Sequence, residues 1–496
     1  MPKLDTQHPQ YEANLSIWEM VEDCDAGEKA IKEKGDKYLP RPNPADKSEE
    51  NKQRFEQYKT RAVFVNFTNR TVVGLVGQVT ARPPDVELPT AIEDLQEDID
   101  GSGISLDQQS RRCLSRVLKV GRSALFVDYP QEEGPVRRGK INSGESRPTI
   151  VLYPATAIDY WRTERRGSKD VYTLIKIREK REMIDPDDVF ESKEEDIYRV
   201  LRLDEAGYYY QQIWVKQTDA KTKKIEWVQD GEDTYPQLAN GSRLKEIPLQ
   251  FVGSINNDSD ADKAPMGDIA GVNIGHYRNS ADYEEACYVA GQPTIGVSIG
   301  KWTLDQFKTA NPGGIRFGIL GGIQFGEGGS IDLIQAEANS MPKEAMEMKE
   351  AQMAIIGASI ISETGTQKTA YQANIENTSE TSQLKLIAQN VSNAYERALE
   401  WFAAFLPSAT GEIKYQLNTN FDSSGMDYQE LLAMVQAWQS GAIAKTALHA
   451  WTVKKKIEDR DFEEVEDEID DNPPAMALKA SAPSQNLEDE NPQPDQ

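Results

Sequence analysis

Between Pro265 and Leu406 apolar residues recur at helical spacing in three stretches, separated by a glycine-studded insert and a polar loop. In the first stretch, 268–290, Ile269, Val272, His276, Tyr283 and Cys287 share one stripe, and the remaining surface is small or polar. Such a narrow stripe covers one side of a helix and leaves the other for a neighbour, so copies of the chain are expected to pack side by side. The second stretch, 339–361, opens with Pro342 in a first helical turn, where a missing N–H costs little, and carries a mixed stripe of Met348, Gln352, Ile355, Ile356 and Ser359. The third runs through Leu384, Ile387, Val391, Tyr395, Ala398, Phe402 and Phe405 and is the most regular, with Pro407 ending it. In the insert, Thr294 to Ile299 reads as a strand. Glycines from Gly313 to Gly329 then punctuate two very short strands, Ile315 to Phe317 and Ile323 to Phe325.

Upstream, 9–35 reads as helix with Ile17, Met20 and Val21 on a face, followed by an extended linker forced by Pro40, Pro42 and Pro44. A second helical run, 49–79, has Phe55, Tyr58, Val63 and Phe67 as anchors and a weak point at 66–69. A third, 106–120, follows serines suited to N-capping. From 121 to 253 segments rich in β-branched and aromatic residues predict one antiparallel meander, with Asp204 to Gly207 as a hairpin turn. The alternation of Tyr198 and Val200 with Arg199 and Arg202 suggests one wet face. Ile413 to Leu417 reads as a strand, 427–438 and 445–456 as helices, and the Pro-rich stretch beyond Asp470 as a disordered tail. The fold class expected is α+β.

The chain has 496 residues and a formal net charge of −26, which argues against a protein that grips nucleic acid but suits a surface past which DNA slides. It has no apolar run long enough to span a membrane and no signal-peptide pattern, so a soluble, cytoplasmically made protein is expected. Cys24, Cys113 and Cys287 lie far apart and read as free thiols. No cofactor or metal is expected. Gly300-Lys301 lacks the first glycine and the Ser or Thr of a phosphate loop, and His8, His276 and His449 sit in no zinc motif. The acidic clusters 93–100 and 463–471 lack EF-hand spacing, and no nucleophile elbow is present. The basic clusters, Arg111 to Arg122 among them, read as solvated faces or intersubunit ion-pair partners. Lys368 stands alone in the polar loop.

Several segments, in order, carry a family resemblance: 66–77, 121–130, 153–161, 247–253, Asp268-Ile-Ala-Gly-Val-Asn-Ile-Gly-His-Tyr-Arg, and Gly357-Ala-Ser-Ile-Ile. Across most of residues 10 to 465 the chain resembles the portal proteins of tailed bacteriophages, in particular a siphovirus- and podovirus-type family catalogued as a domain of unknown function. The resemblance implies a ring, typically of twelve copies, around an axial channel. It makes 1–120 the helical part of the wing, 121–264 its β part, 265–290 and 339–361 the stem helices and 291–338 the clip. It makes 362–375 the tunnel loop, 376–426 the long wing helix and strand, 427–469 the crown and 470–496 the tail.

Thr364, Gly365, Thr366, Gln367, Lys368 and Thr369 would line the channel. Ile315, Phe317, Ile319, Ile323 and Phe325 would serve clip docking and contacts between subunits, and Ile269, Val272, His276, Tyr283, Met348 and Ile355 would pack the stem. The implied function is a non-catalytic conduit at one capsid vertex, in the virion and, during assembly, the host cytoplasm. Double-stranded DNA would pass through it, packaged by the terminase large subunit and later ejected. The other implied partners are head-completion or tail-adaptor, major capsid and scaffolding proteins, with no membrane. The alternatives are a soluble multidomain enzyme such as a hydrolase with a spatially assembled site, or another phage head or tail scaffold protein.

Overall fold

The computed structural model describes residues 4–130, 146–184, 190–218, 225–292, 294–314, 322–334, 339–361, 382–406, 409, 411–421 and 443–454, with a few single positions between 434 and 465. It is a mixed helix and sheet structure in two units, Met1–Phe421 and Asp422–Gln496.

Helix α1 (Pro9–Ala26) and helix α2 (Glu28–Glu33) are separated by Gly27, whose φ of +92° ends the first helix early. Their inward face is Tyr11, Trp18, Val21 and Cys24; Ile17, expected on it, points outward because Trp18 takes the inner position. The run at 49–79 is two helices, α3 (Glu49–Arg61) and α4 (Phe67–Val79), broken at 62–66, just ahead of the anticipated weak point. Asn66 caps α4 by accepting the Asn69 N–H at 2.9 Å. Phe64 is buried at the break and Val63 is exposed, reversing the expectation for Val63. After strand β1 (Asp85–Glu87), helix α5 (Leu106–Val120) begins with a capping box made by Ser105 and Gln108.

The β region is two sheets. Strands β2 (Arg122–Asp128) and β3 (Thr149–Pro154) form a three-stranded antiparallel sheet with β9 (Leu249–Gly253) that the sequence reading did not separate. Strands β4 (Ile158–Arg166), β5 (Lys169–Ile184), β6 (Ser192–Leu203), β7 (Tyr209–Thr218) and β8 (Ile225–Gln229) form the meander. Its turn at Asp204–Gly207 closes as anticipated, with Gly207 at φ +83° and its N–H on the Asp204 carbonyl. The wet-face expectation fails for Arg199. That side chain is half-buried on the core face beside the buried Leu201, donating to Glu179 at 2.9 Å and Asp128 at 3.2 Å, while Tyr198 and Val200 form a second small apolar cluster on the opposite face.

Arg111 and Arg112 on α5 are exposed, as expected of a solvated face, but the rest of that basic run, through Arg122 on β2, is internal. Arg116 donates to the Leu152 carbonyl at 2.9 Å, and Lys119 sits 3.0 Å from both Glu22 and Asp25. Arg122 lies between the rings of Trp161 and Phe251, 4.4 and 3.8 Å from their centres, and burial lowers its pKa to about 10. These side chains are not a solvated surface cluster, because carbonyls, carboxylates and ring faces of the same chain take up their charge.

Beyond β9 the chain forms α6 (Gly267–Ala290), β10 (Thr294–Ser298), α7 (Leu304–Ala310), β11 (Ser330–Ile334), α8 (Met341–Ile361) and α9 (Gln383–Phe405). Every member of the regular stripe on α9 is buried, and the helix packs across β2, β9 and α5 as the axis of the main core. Tyr395 and Asn390 attach it by hydrogen bonds to Gln109 at 3.1 Å and to the Gly253 carbonyl at 3.0 Å. Strand β12 (Lys414–Gln416) pairs with β1, a long-range contact that three-residue strands do not announce. In the second unit, α10 (Lys445–Lys454) is described; of the anticipated helix at 427–438, Met434, Gln436 and Ala437 are described and are helical, and the tail at 470–496 lies outside the described residues.

The turn from α5 into β2 depends on Gly121, at φ +74°, where an added Cβ would stand 2.6 Å from the Lys263 carbonyl oxygen. Gly121→Ala should therefore destabilise the protein by about 1–3 kcal/mol, measured as a lowered urea midpoint with an unchanged slope.

Candidate assembly site

Helix α6 changes character halfway along. Its first half is wider in burial than the single stripe suggested: Ile269, Ala270, Asn273, Ile274, His276, Tyr277, Ser280 and Ala281 are all buried, and Val272 is half-buried. The sequence reading missed Ile274 and Tyr277, which flank His276 and broaden the apolar face towards α1, α3 and α4.

Polar side chains on this face hold the break between α3 and α4. Asn273 accepts from the Thr68 N–H at 3.2 Å and hydroxyl at 3.1 Å and donates to the Val65 carbonyl at 2.9 Å. Ser280 accepts the Val63 N–H at 3.1 Å. His276 is fully buried, edge-on to Phe67, with its Nε2 3.1 Å from the Glu350 carboxylate on α8. Its role is therefore intrachain packing.

The second half of α6 emerges from the core. Asp282 takes the Tyr58 hydroxyl at 2.6 Å, and Arg61 donates to Glu285 while stacking 4.2 Å from the Tyr288 ring centre. Tyr283 is half-buried, and Cys287, Tyr288 and Val289 are exposed.

Helix α8 lies along α6, close enough for the Lys349 stem to pass over Gly275 and for Gly357 to meet the Thr71 methyl. Its fully buried side chains are Met353 and Ile360, with Ile356 half-buried; the anticipated packing residues Met348 and Ile355 point away from the chain. Met341, Met348 and Ile355 are 72, 64 and 67 % exposed and recur every seven residues, so they form one apolar seam along the outside of α8.

The insert between the two helices is built on a ribbon of β10 and β11, paired antiparallel from Thr294↔Ile334 to Ser298↔Ser330. Ile295 opposes Leu333 and Val297 opposes Ile331, so these four residues share one face, and Ile331 and Leu333 are exposed. Ile323–Phe325, expected to be a short strand, is not one: Ile323 is half-buried and Phe325 is exposed, and β10 pairs with β11. The glycines serve tight approaches, as at Gly300, with φ +64° and no room for a Cβ against Gly326, Glu327 and Gly329. Ile315, Phe317 and Ile319, and the loop residues Thr364, Gly365, Thr366, Gln367, Lys368 and Thr369, lie outside the described residues.

Among the described residues no cluster of His, Cys, Asp or Glu is arranged to hold a metal, and no helix is long and apolar enough to cross a membrane. Among the described residues the arrangement offers instead two apolar surfaces without a partner, the α8 seam and the ribbon face, on a helix–ribbon–helix excursion rooted in the core.

Residues 265–406, from just before α6 to just past α9, match the model of a domain of unknown function, DUF4055. Solved structures similar to the chain include two of gene transfer agent particles. One, described as the virion of a native gene transfer agent particle, contains a chain 12 % identical at a TM-score of 0.39, with 78 % of this chain and 89 % of that chain covered. The other, described as the neck of an empty gene transfer agent particle computed with C6 symmetry, gives 14 % identity and a TM-score of 0.38, with 77 % and 87 % covered. No curated protein matches.

The thiols report this geometry. Burial pushes Cys24 and Cys113 up to about 12, whereas Cys287 is exposed on the outer half of α6. Disulfide-exchange labelling of the folded, dissociated chain near pH 8 should modify one thiol quickly, and Cys287→Ser should abolish that phase; rapid labelling of all three would contradict the burial.

Proposed function

We propose that this chain is the subunit of a ring-shaped structural assembly in a phage-like particle, the portal at one capsid vertex, and that it has no catalytic activity of its own. The observation that carries the reading is the seam of Met341, Met348 and Ile355, left uncovered on a helix whose opposite side is attached by Met353 and Ile360. Helices arranged around an axis need contact surfaces on both flanks, and α8 has one flank inside its own chain and one flank free. The ribbon face of Ile295, Val297, Ile331 and Leu333 is a second such surface, at the place the family resemblance gives to the clip. A two-stranded ribbon is marginal by itself and gains stability from a neighbour or a docking protein.

In this reading α6 and α8 form the channel wall, and the ribbon module docks terminase during packaging and an adaptor afterwards. The acidic balance of the chain disfavours stalling of DNA in the channel. Lys368 then makes passing phosphate contacts. A multidomain hydrolase is the competing class, and it would show as a monomer with saturable turnover.

Electron microscopy of the purified protein tests the ring directly. The double variant Met348→Gln, Ile355→Gln should keep its circular-dichroism spectrum and melt within about 1 kcal/mol of the parent, because both side chains are exposed. Its association should weaken by at least about tenfold per contact, seen by light scattering across a dilution series. Rings of undiminished stability would remove the seam from the interface. Lys368→Glu should leave ring assembly intact and alter the amount of DNA packaged; unchanged packaging and retention would end the proposed role for that side chain.

A further inference from the structure

Ahead of α1, residues 4–8, which begin with a turn at Leu4 and Asp5, lie across the outer face of the meander. Leu4 is buried in a recess made by Tyr198 and Val200, with Leu174, Trp214 and Trp227 around it. Asp5 accepts the Trp227 indole N–H at 3.0 Å. Lys176, 4 % exposed, donates to the carbonyls of Leu4 and Thr6, the latter at 2.7 Å, and sits 3.1 Å from the Asp159 carboxylate. At the far end the His8 N–H donates to the Asp159 carbonyl at 2.8 Å, and the His8 ring stacks 3.9 Å from that of Trp161.

Lys176 decides what this face is for. A buried ammonium has three N–H donors, and each one left without an acceptor costs free energy. Only one of its three acceptors, Asp159, belongs to the sheet. Asp159 is the extra residue at a β-bulge between Ile158 and Tyr160, and a bulge is a usual way to re-aim a side chain. The other two acceptors are peptide carbonyls of the overlying segment. In the folded chain two of the three groups that hold this charge are thus carbonyls two residues apart on the overlying segment, beside an aromatic recess that takes one aliphatic side chain.

We propose that the outer face of this sheet is a peptide-binding site, occupied here by residues 4–8 of the same chain acting as a separable latch. Trp214 Nε1, buried without a hydrogen-bond partner, shows that the resident segment leaves one donor of the site unused, so it is a ligand that a better-matched peptide can displace.

The test uses the chain lacking residues 1–7 together with a synthetic acetylated peptide of residues 1–7. The peptide is expected to bind the shortened chain saturably, followed by the fluorescence of Trp214 and Trp227, and to leave the intact chain unaffected. A Leu4→Asp peptide should bind at least about tenfold more weakly, the loss expected for an aliphatic anchor. Equal responses from the intact and shortened chains, equal binding by the two peptides, or no binding to a folded shortened chain would each overturn the proposal. Should the shortened chain fail to fold, Leu4→Asp in the full chain is read by hydrogen exchange. Faster exchange in β7 and β8 with α9 unchanged supports the latch, and unchanged exchange throughout overturns it.

Discussion

Asn273 is fully buried, and its amide must therefore find its partners inside the chain. It finds them at Val65, within the break between α3 and α4, and at Thr68, in the first turn of α4. Those hydrogen bonds tie the root of α6 to α4 and to the connection that leads into it, and the apolar side chains around Asn273 exclude the water that would compete for them. With that root fixed, the rest of α6 is free to leave the core, carry the ribbon of β10 and β11, and return as α8. An excursion of this kind needs one rigid end, since both of its helices are otherwise thinly covered.

The distribution of charge follows the same division. Arg116, Lys119, Arg122 and Arg199 are consumed within the core by carbonyls, carboxylates and ring faces. Four carboxylates, Glu22, Asp25, Asp128 and Glu179, are engaged with them, so these groups cancel and the net charge of −26 is carried by the rest of the chain. Repulsion between chains of that charge favours partners that meet through apolar strips, where desolvation outweighs the unfavourable long-range field.

The elements were largely legible because their signals are local. Ser105 and Gln108 marked the start of α5, the seven-membered stripe marked α9, and Asp204 to Gly207 marked a hairpin. What escaped was set by contacts far apart in sequence. No periodicity tells that β2 pairs with β9 across more than a hundred residues, or that β12 finds β1. On α8 Met348 and Ile355 were singled out while Met353 and Ile360, which face the rest of the chain, were not, because the two pairs are equally apolar and only the partner decides which is inside. On α6, Ile274 and Tyr277 were passed over because a single narrow stripe was sought where the helix meets several neighbours. Lys176 and Arg199 gave no sign of burial, since their acceptors come from distant segments.

The shallow seating of α8 bears on how the protein responds to its own abundance. A helix held mainly by Met353 and Ile360 on one flank opens locally at a smaller free-energy cost than α9, which is buried along its whole stripe. If the seam on its other flank is covered by a second copy, part of the order of α8 is supplied by mass action. Folding of this segment and association of the chain then become one coupled equilibrium, in which dilution loosens the helix and crowding at an assembly site tightens it.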